Sequence, residues 1–145
     1  MLAPLALALA CAQGETPPAD SAAMAPMAPA GLTEADVAGT WTGTAMPMDA
    51  DTVLARWKQV CAAGSCTGTN EMNSDTVMST YTVAGDSSVG MSNPYMDSML
   101  KLRVVDSWVA RVPSPGRVVG TLVTRMADRP DSVVMRTRFE GTRAP

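Results

Sequence analysis

The chain has 145 residues, 46% of them hydrophobic and 17% charged, which allows one globular domain and excludes a wholly disordered chain. Eleven Lys and Arg against fourteen Asp and Glu leave a net charge of −3, so a nucleic-acid binder is not expected. Histidine is absent, which removes Ser-His-Asp and Cys-His catalysis and every His-dependent metal site.

Residues 1–10, MLAPLALALA, form an Ala/Leu run too short to span a bilayer but suited to the apolar core of a signal peptide. No basic residue precedes the run, which leaves room for a start upstream of Met1. Ala8-Leu9-Ala10-Cys11 resembles the lipobox of bacterial lipoproteins, and that resemblance implies cleavage before Cys11 and lipidation of its thiol. Ala8-x-Ala10 also fits ordinary signal peptidase cleavage. Residues 11–32 read as a linker, because 12–32 hold seven Ala and four Pro, a composition that blocks helix and ladder pairing alike. The expected arrangement is a lipid-anchored domain, exported to the bacterial outer membrane or periplasm and held off the membrane by a semi-rigid spacer.

Residues 33–145 form the expected domain, and its composition is that of a sheet: 15 Val and 14 Thr, with no Ile. Thr33 is placed to cap one helical turn over 32–37. Strands are predicted near 38–46, 52–60, 66–72, 76–84, 87–92, 101–112, 116–125 and 132–142, with Pro47, Pro94, Pro113, Pro115 and Pro130 falling between them. Ala84-Gly85-Asp86 and Ser114-Pro115-Gly116 read as hairpin turns. Alternation sets Val53, Ala55 and Trp57 against Arg56 and Lys58. In the last run it sets Val133, Met135, Thr137 and Phe139 against Arg136, Arg138 and Glu140, so the uncharged sets face the core. Eight strands with one buried face each hide their edges by closing, which predicts an all-β, up-and-down antiparallel barrel, with a β-sandwich as the alternative.

Three cysteines are an odd number for an oxidising compartment. With Cys11 lipidated, Cys61 and Cys66 remain to form a disulfide across the Ala62–Ser65 turn. Free thiols and a two-thiolate metal site are the alternatives.

Gly39-Thr40-Trp41-Thr42-Gly43 opens the first strand and resembles the Gly-x-Trp signature of the calycin superfamily, the lipocalins, avidin-like proteins and related small bacterial barrels. The resemblance implies that Gly39 and Trp41 sit at the closed end of the barrel. It also implies a basic residue near the last strand packed over the indole, Arg143 by preference or Arg138. A Thr-Asp-Tyr triplet, the second lipocalin signature, is absent.

Family habit and the abundance of Met, twelve in all, suggest non-covalent capture of a small apolar or amphipathic ligand, with Trp57, Met78, Trp108 and Met135 as its lining. The alternative is a protein-binding or structural envelope module, an accessory protein or peptidase-inhibitor-like barrel, with a solid core. Enzymatic activity, a cofactor and a metal site are not expected. Copper on the Met46-Pro47-Met48 or Met91, Met96 and Met99 groups lacks a His or thiolate to complete it. Asp106 shares parity with Leu102, Val104 and Trp108, so it is expected to point inward and to need an arginine partner. Charge divides along the chain, −6 through residue 75 and +3 after it, and the later arginines read as a wet sheet face, with a mildly cationic patch for anionic headgroups or a protein partner as the alternative.

Overall fold

A computed structural model describes residues 31–145; the export run, Cys11 and the linker up to residue 30 lie outside them. One helical turn, α1 (Glu34–Val37), precedes nine strands. These are β1 (Gly39–Pro47), β2 (Ala55–Ala62), β3 (Ser65–Asn70), β4 (Thr76–Ala84), β5 (Ser87–Ser92), β6 (Tyr95–Asp97), β7 (Leu102–Ser114), β8 (Arg117–Met126) and β9 (Arg129–Arg143). All strands but β6 join in up-and-down antiparallel order, and pairing of β1 with β9 and of β5 with β7 closes eight strands into a barrel. Closure leaves no free edge on those strands. The three-residue β6, too short to carry an alternation signal, pairs with the start of β7 through Tyr95 opposite Val104.

Parity sorts the side chains once β1 is anchored by Trp41, which is buried. The interior takes Trp41, Gly43 and Ala45 from β1 and Trp57, Gln59 and Cys61 from β2, which face them across the ladder. From β4 it takes Val77, Ser79, Tyr81 and Val83, and from β7 Val104, Asp106, Trp108 and Ala110. From β9 come Thr137, Phe139 and Gly141, opposite Leu122, Gly120 and Val118 of β8. Large rings and glycines alternate because each ring needs the space a neighbouring side chain would fill. A Cβ on Gly43 would fall 2.5 Å from the Trp57 ring, and one on Gly141 2.6 Å from it. A Cβ on Gly120 would meet Phe139 at 2.3 Å, and one on Gly90 would meet Trp108 at 2.2 Å. Trp57 and Phe139 then pack edge to face with ring centroids 6.0 Å apart. Such glycines also let strands bend at the corners of a small barrel.

Several boundaries and orientations differ from the sequence reading. β2 starts at Ala55, so Val53 does not share its face. The 48–54 segment folds back instead, with Leu54 N–H donating to Ala45 O at 2.8 Å. Arg138, opposite Met46 on the outer wall, holds Ala50 O at 3.1 Å and pairs with Asp51, and Met46 beneath is buried despite its outward register. Three prolines lie within strands, at positions where the ladder tolerates a missing donor. Pro47 ends β1, Pro113 sits in the register shift between Arg111 and Ser114, and Pro130 is the second residue of β9. A second shift pairs Thr124 with Met135 but Arg125 with Val133. This extra residue on β9 turns Val133 to the outer wall, where it is 42% exposed.

Leu32 packs on the core cluster of Val37, Cys61, Cys66 and Tyr81, and its N–H donates to Gly85 O at 2.9 Å. Thr33 caps α1 in a reciprocal capping box with Asp36. Those hydrogen bonds from Thr33 hold the Asp36 carboxyl below its ordinary value.

Candidate functional site

One end of the barrel brings Gly39, Trp41 and Arg143 together. The Arg143 guanidinium lies 4.7 Å from the centre of the Trp41 ring, and the Trp41 Nε1–H donates to Val37 O at 2.8 Å. Arg143 Nη2 also donates to Asp36 O at 2.5 Å, tying α1 over the barrel floor. Gly39 lies beside this stack with φ +122°, a value that suits glycine, and a Cβ there would meet the guanidinium at 3.5 Å. Arg138, the other candidate, serves the outer wall and takes no part in this closure. Cys61 and Cys66 stand opposite each other and form a disulfide, spanning a two-residue turn in which Ala63 and Gly64 both have positive φ.

The four residues expected to line a ligand site divide. Trp57 and Trp108 point inward and lie against glycines, and Met135, opposite the buried Thr124, is inward and half-buried. Met78 is not a lining residue: β4 turns its odd-numbered positions inward, and Met78 is 60% exposed on the outer wall.

Asp106 points inward as expected, but its partners are hydroxyls rather than an arginine. Thr124 Oγ1 donates to one carboxylate oxygen at 2.6 Å and Tyr95 Oη to the other at 2.8 Å. The Asp106 N–H donates to Ser92 Oγ at 2.9 Å. Burial raises the Asp106 carboxyl above its ordinary value, against the lowering effect of the two hydroxyls. Burial, with the adjacent carboxylate, also raises the Tyr95 phenol, which keeps it a hydrogen-bond donor. The pair fastens β6 to the barrel wall. Two further interior donors, Trp57 Nε1–H and Tyr81 Oη–H, are buried without a hydrogen-bond partner.

The least expected feature lies outside the barrel. One outward row runs Thr80–Met91–Ser107–Val123 across β4, β5, β7 and β8, and the next runs Thr82–Val89–Val109–Thr121. None of these eight side chains is charged, yet Met91, Val109 and Val89 are 56%, 43% and 40% exposed. They line a shallow depression of about 420 Å³. Met78 extends the wall towards β3, opposite Thr67. Across β1, β2, β9 and the start of β8, a second depression of about 670 Å³ is polar, with Arg56, Glu71 and Thr142 among its lining and Arg117 3.7 Å from Glu140. Sequence alternation missed the uncharged wall because both faces of β4 and β5 carry uncharged residues. The available signal was the lack of Asp, Glu, Lys and Arg at outward positions, legible once Tyr81 and Trp108 fix which parity is inside.

Comparisons with protein families, curated proteins and solved structures find no match for this chain. The eight-strand barrel is compatible with a calycin-like fold. The disulfide fits an exported protein, and no helix among the described residues is long and apolar enough to cross a membrane.

Proposed function

We propose that this barrel is a protein-interaction module of the cell envelope, binding through the uncharged outer wall of β4, β5, β7 and β8 around a core filled by its own side chains. The observation that carries the reading is the exposure of Met91, Val109 and Val89 in two adjoining rows free of charge. A contiguous exposed apolar patch of this kind marks an interaction surface more often than it is left bare. The rings of Trp57, Phe139 and Trp108 set on Gly43, Gly141, Gly120 and Gly90 support a core of the side-chain-filled type. Lipidation of Cys11 would tether the barrel to the membrane through the linker.

A second reading is capture of a small molecule in the barrel lumen. It is favoured by the two buried donors without partners, Trp57 Nε1–H and Tyr81 Oη–H, which a ligand oxygen would satisfy.

Native mass spectrometry of the full chain purified from membranes separates the two. A complex heavier by the mass of a polypeptide is the expected result, and an adduct of a few hundred daltons overturns it in favour of the lumen. Fatty-acid labelling that persists in Cys11→Ser rules out the anchor.

A further inference from the structure

The uncharged wall has charge at two borders: beyond Val109, Arg111 is neutralised by Asp86 at 3.6 Å, while the border towards β9 keeps unpaired arginines. Its two rows continue from β8 onto β9, where Val123 is followed by Arg136 and Thr121 by Arg138, and Arg125 stands two residues along β8 from Val123. Arg138 is already paired with Asp51. Arg125 and Arg136 have no carboxylate within ion-pair distance among the described residues. The Arg125 Nη1 instead donates to Ser107 Oγ at 2.7 Å, which lays the guanidinium across the row that Ser107 shares with Met91.

Three occupants are conceivable for such a surface, and the wall discriminates among them. A second copy of the chain, related by a two-fold axis parallel to the strands, would bring each arginine border over the other's β3–β4 flank. The outward residues of those two strands, from Ser65 to Thr69 and from Thr76 to Ala84, are Ser, Thr, Met and Ala, none of them a carboxylate, so the guanidinium groups would lose water without gaining a counter-charge. A lipid surface is normally gripped by Trp and Tyr at the interface, but here Trp41, Trp57, Trp108 and Tyr81 all point into the barrel. What fits is a polypeptide with an apolar strip beside acid. The closed barrel offers it no strand edge for β-augmentation on this wall, so recognition falls to side chains.

Building on the interaction-module reading, we infer that the wall's partner is an acidic protein segment. It sets apolar side chains against Val89, Met91 and Val109 and carboxylates against Arg125 and Arg136. Apolar contact supplies affinity, and the arginine border fixes register and rejects basic partners.

The test uses the full chain with three soluble peptides, alternating Val and Glu, Val and Lys, or Ser and Glu, followed by fluorescence anisotropy. Phosphatidylglycerol vesicles and sedimentation of the chain alone serve as further arms. The Val/Glu peptide should bind at least tenfold tighter than either other peptide. Val109→Asn and the Arg125→Gln, Arg136→Gln double variant should each lose at least tenfold, with unchanged circular dichroism. Equal binding of the Val/Glu and Val/Lys peptides, or none of the Val/Glu peptide, overturns the acidic partner. So does preferential binding to vesicles, or a dimer that Val109→Asn dissolves. A protein complex seen by native mass spectrometry alongside any of those failures leaves the interaction module standing and removes only the acidic partner.

Discussion

The guanidinium of Arg143 rests 4.7 Å from the centre of the Trp41 indole, and so joins the last residue of β9 to the first strand of the barrel. The contact is partly shielded, since the indole beneath is only 4% exposed, and its Nε1–H is engaged by Val37 O. A desolvated cation–π pair contributes about 1–2 kcal/mol. Arg143→Ala should therefore destabilise the barrel by about that amount plus its hydrogen bonds to Ala35 O and Asp36 O. Arg143→Lys should recover only part, because an ammonium lacks the planar fork. A double-mutant cycle with Trp41→Leu, read by urea denaturation, should give a coupling energy of about 1 kcal/mol or more. Additivity of the two variants would show that the stack does not hold the closure.

The ring-on-glycine packing makes a sharper prediction, because glycines on different strands differ in what a methyl would meet. At Gly43 an added Cβ would lie 2.0 Å from Glu140 O, a backbone atom that cannot swing aside. At Gly68 the nearest atom is Val77 O at 3.8 Å, an ordinary contact. Gly43→Ala should cost about 1–3 kcal/mol or more as overpacking, whereas Gly68→Ala should stay within about 0.5 kcal/mol of the parent. Thermal melts of the two variants side by side test this, and equal melting temperatures would contradict the packing described.

Asp106 governs a pH dependence whose sign follows from burial. Its folded carboxyl holds a proton more tightly than the ordinary value of 3.8, so folding favours the protonated form. The stability it contributes is complete below 3.8 and declines as pH rises through the folded value. Asp106→Asn removes that decline, so the stability of the variant relative to the parent should increase as pH rises above the ordinary value of 3.8. Thr124→Val, at a position 2% exposed, keeps the shape but deprives the carboxylate of a donor and should cost about 1–3 kcal/mol. Urea titrations at several pH values measure both, and a constant difference over that rise in pH would show that Asp106 does not titrate there.

How far the sequence reveals this molecule depends on polarity contrast between faces. On β2 and β9, Arg56, Lys58, Arg136 and Arg138 contrast with Trp57 and Phe139, and alternation reads the inside correctly. On β4 the two faces are Thr, Met and Ala against Val, Ser and Tyr, with no charge on either, so alternation does not tell that Met78 lies outside. Asp106 was legible as inward from its neighbours Val104 and Trp108. Its partners were not legible, because Tyr95 and Thr124 are hydroxyls 11 and 18 residues away that only the β6–β7 and β7–β8 registers bring together. Val133 shows the remaining kind of loss: one extra residue in β9 reverses the parity of what lies beyond it. The outer wall shares the ambiguity of β4 and stood out only when the barrel closed.

The turn beneath the disulfide carries a correctable strain. Ala63 adopts φ +47° and Gly64 φ +80°, the positive pair that a two-residue hairpin of this hand demands. Glycine meets the demand freely, but an alanine in the left-handed region costs about 1–2 kcal/mol. Asn tolerates the conformation better, so Ala63→Asn should raise stability by about 1 kcal/mol without touching the core, since Ala63 is exposed. The same hairpin is clamped by Cys61–Cys66, a loop with a sequence separation of only 5, for which chain entropy predicts about 2 kcal/mol. If strain in the turn is what the disulfide restrains, the gain from Ala63→Asn should be larger in the Cys61→Ser, Cys66→Ser background than in the parent. Denaturation of the four proteins measures that difference directly. Equal gains would mean that the bond and the turn act independently, and a loss of stability on Ala63→Asn would show that the turn does not hold this conformation.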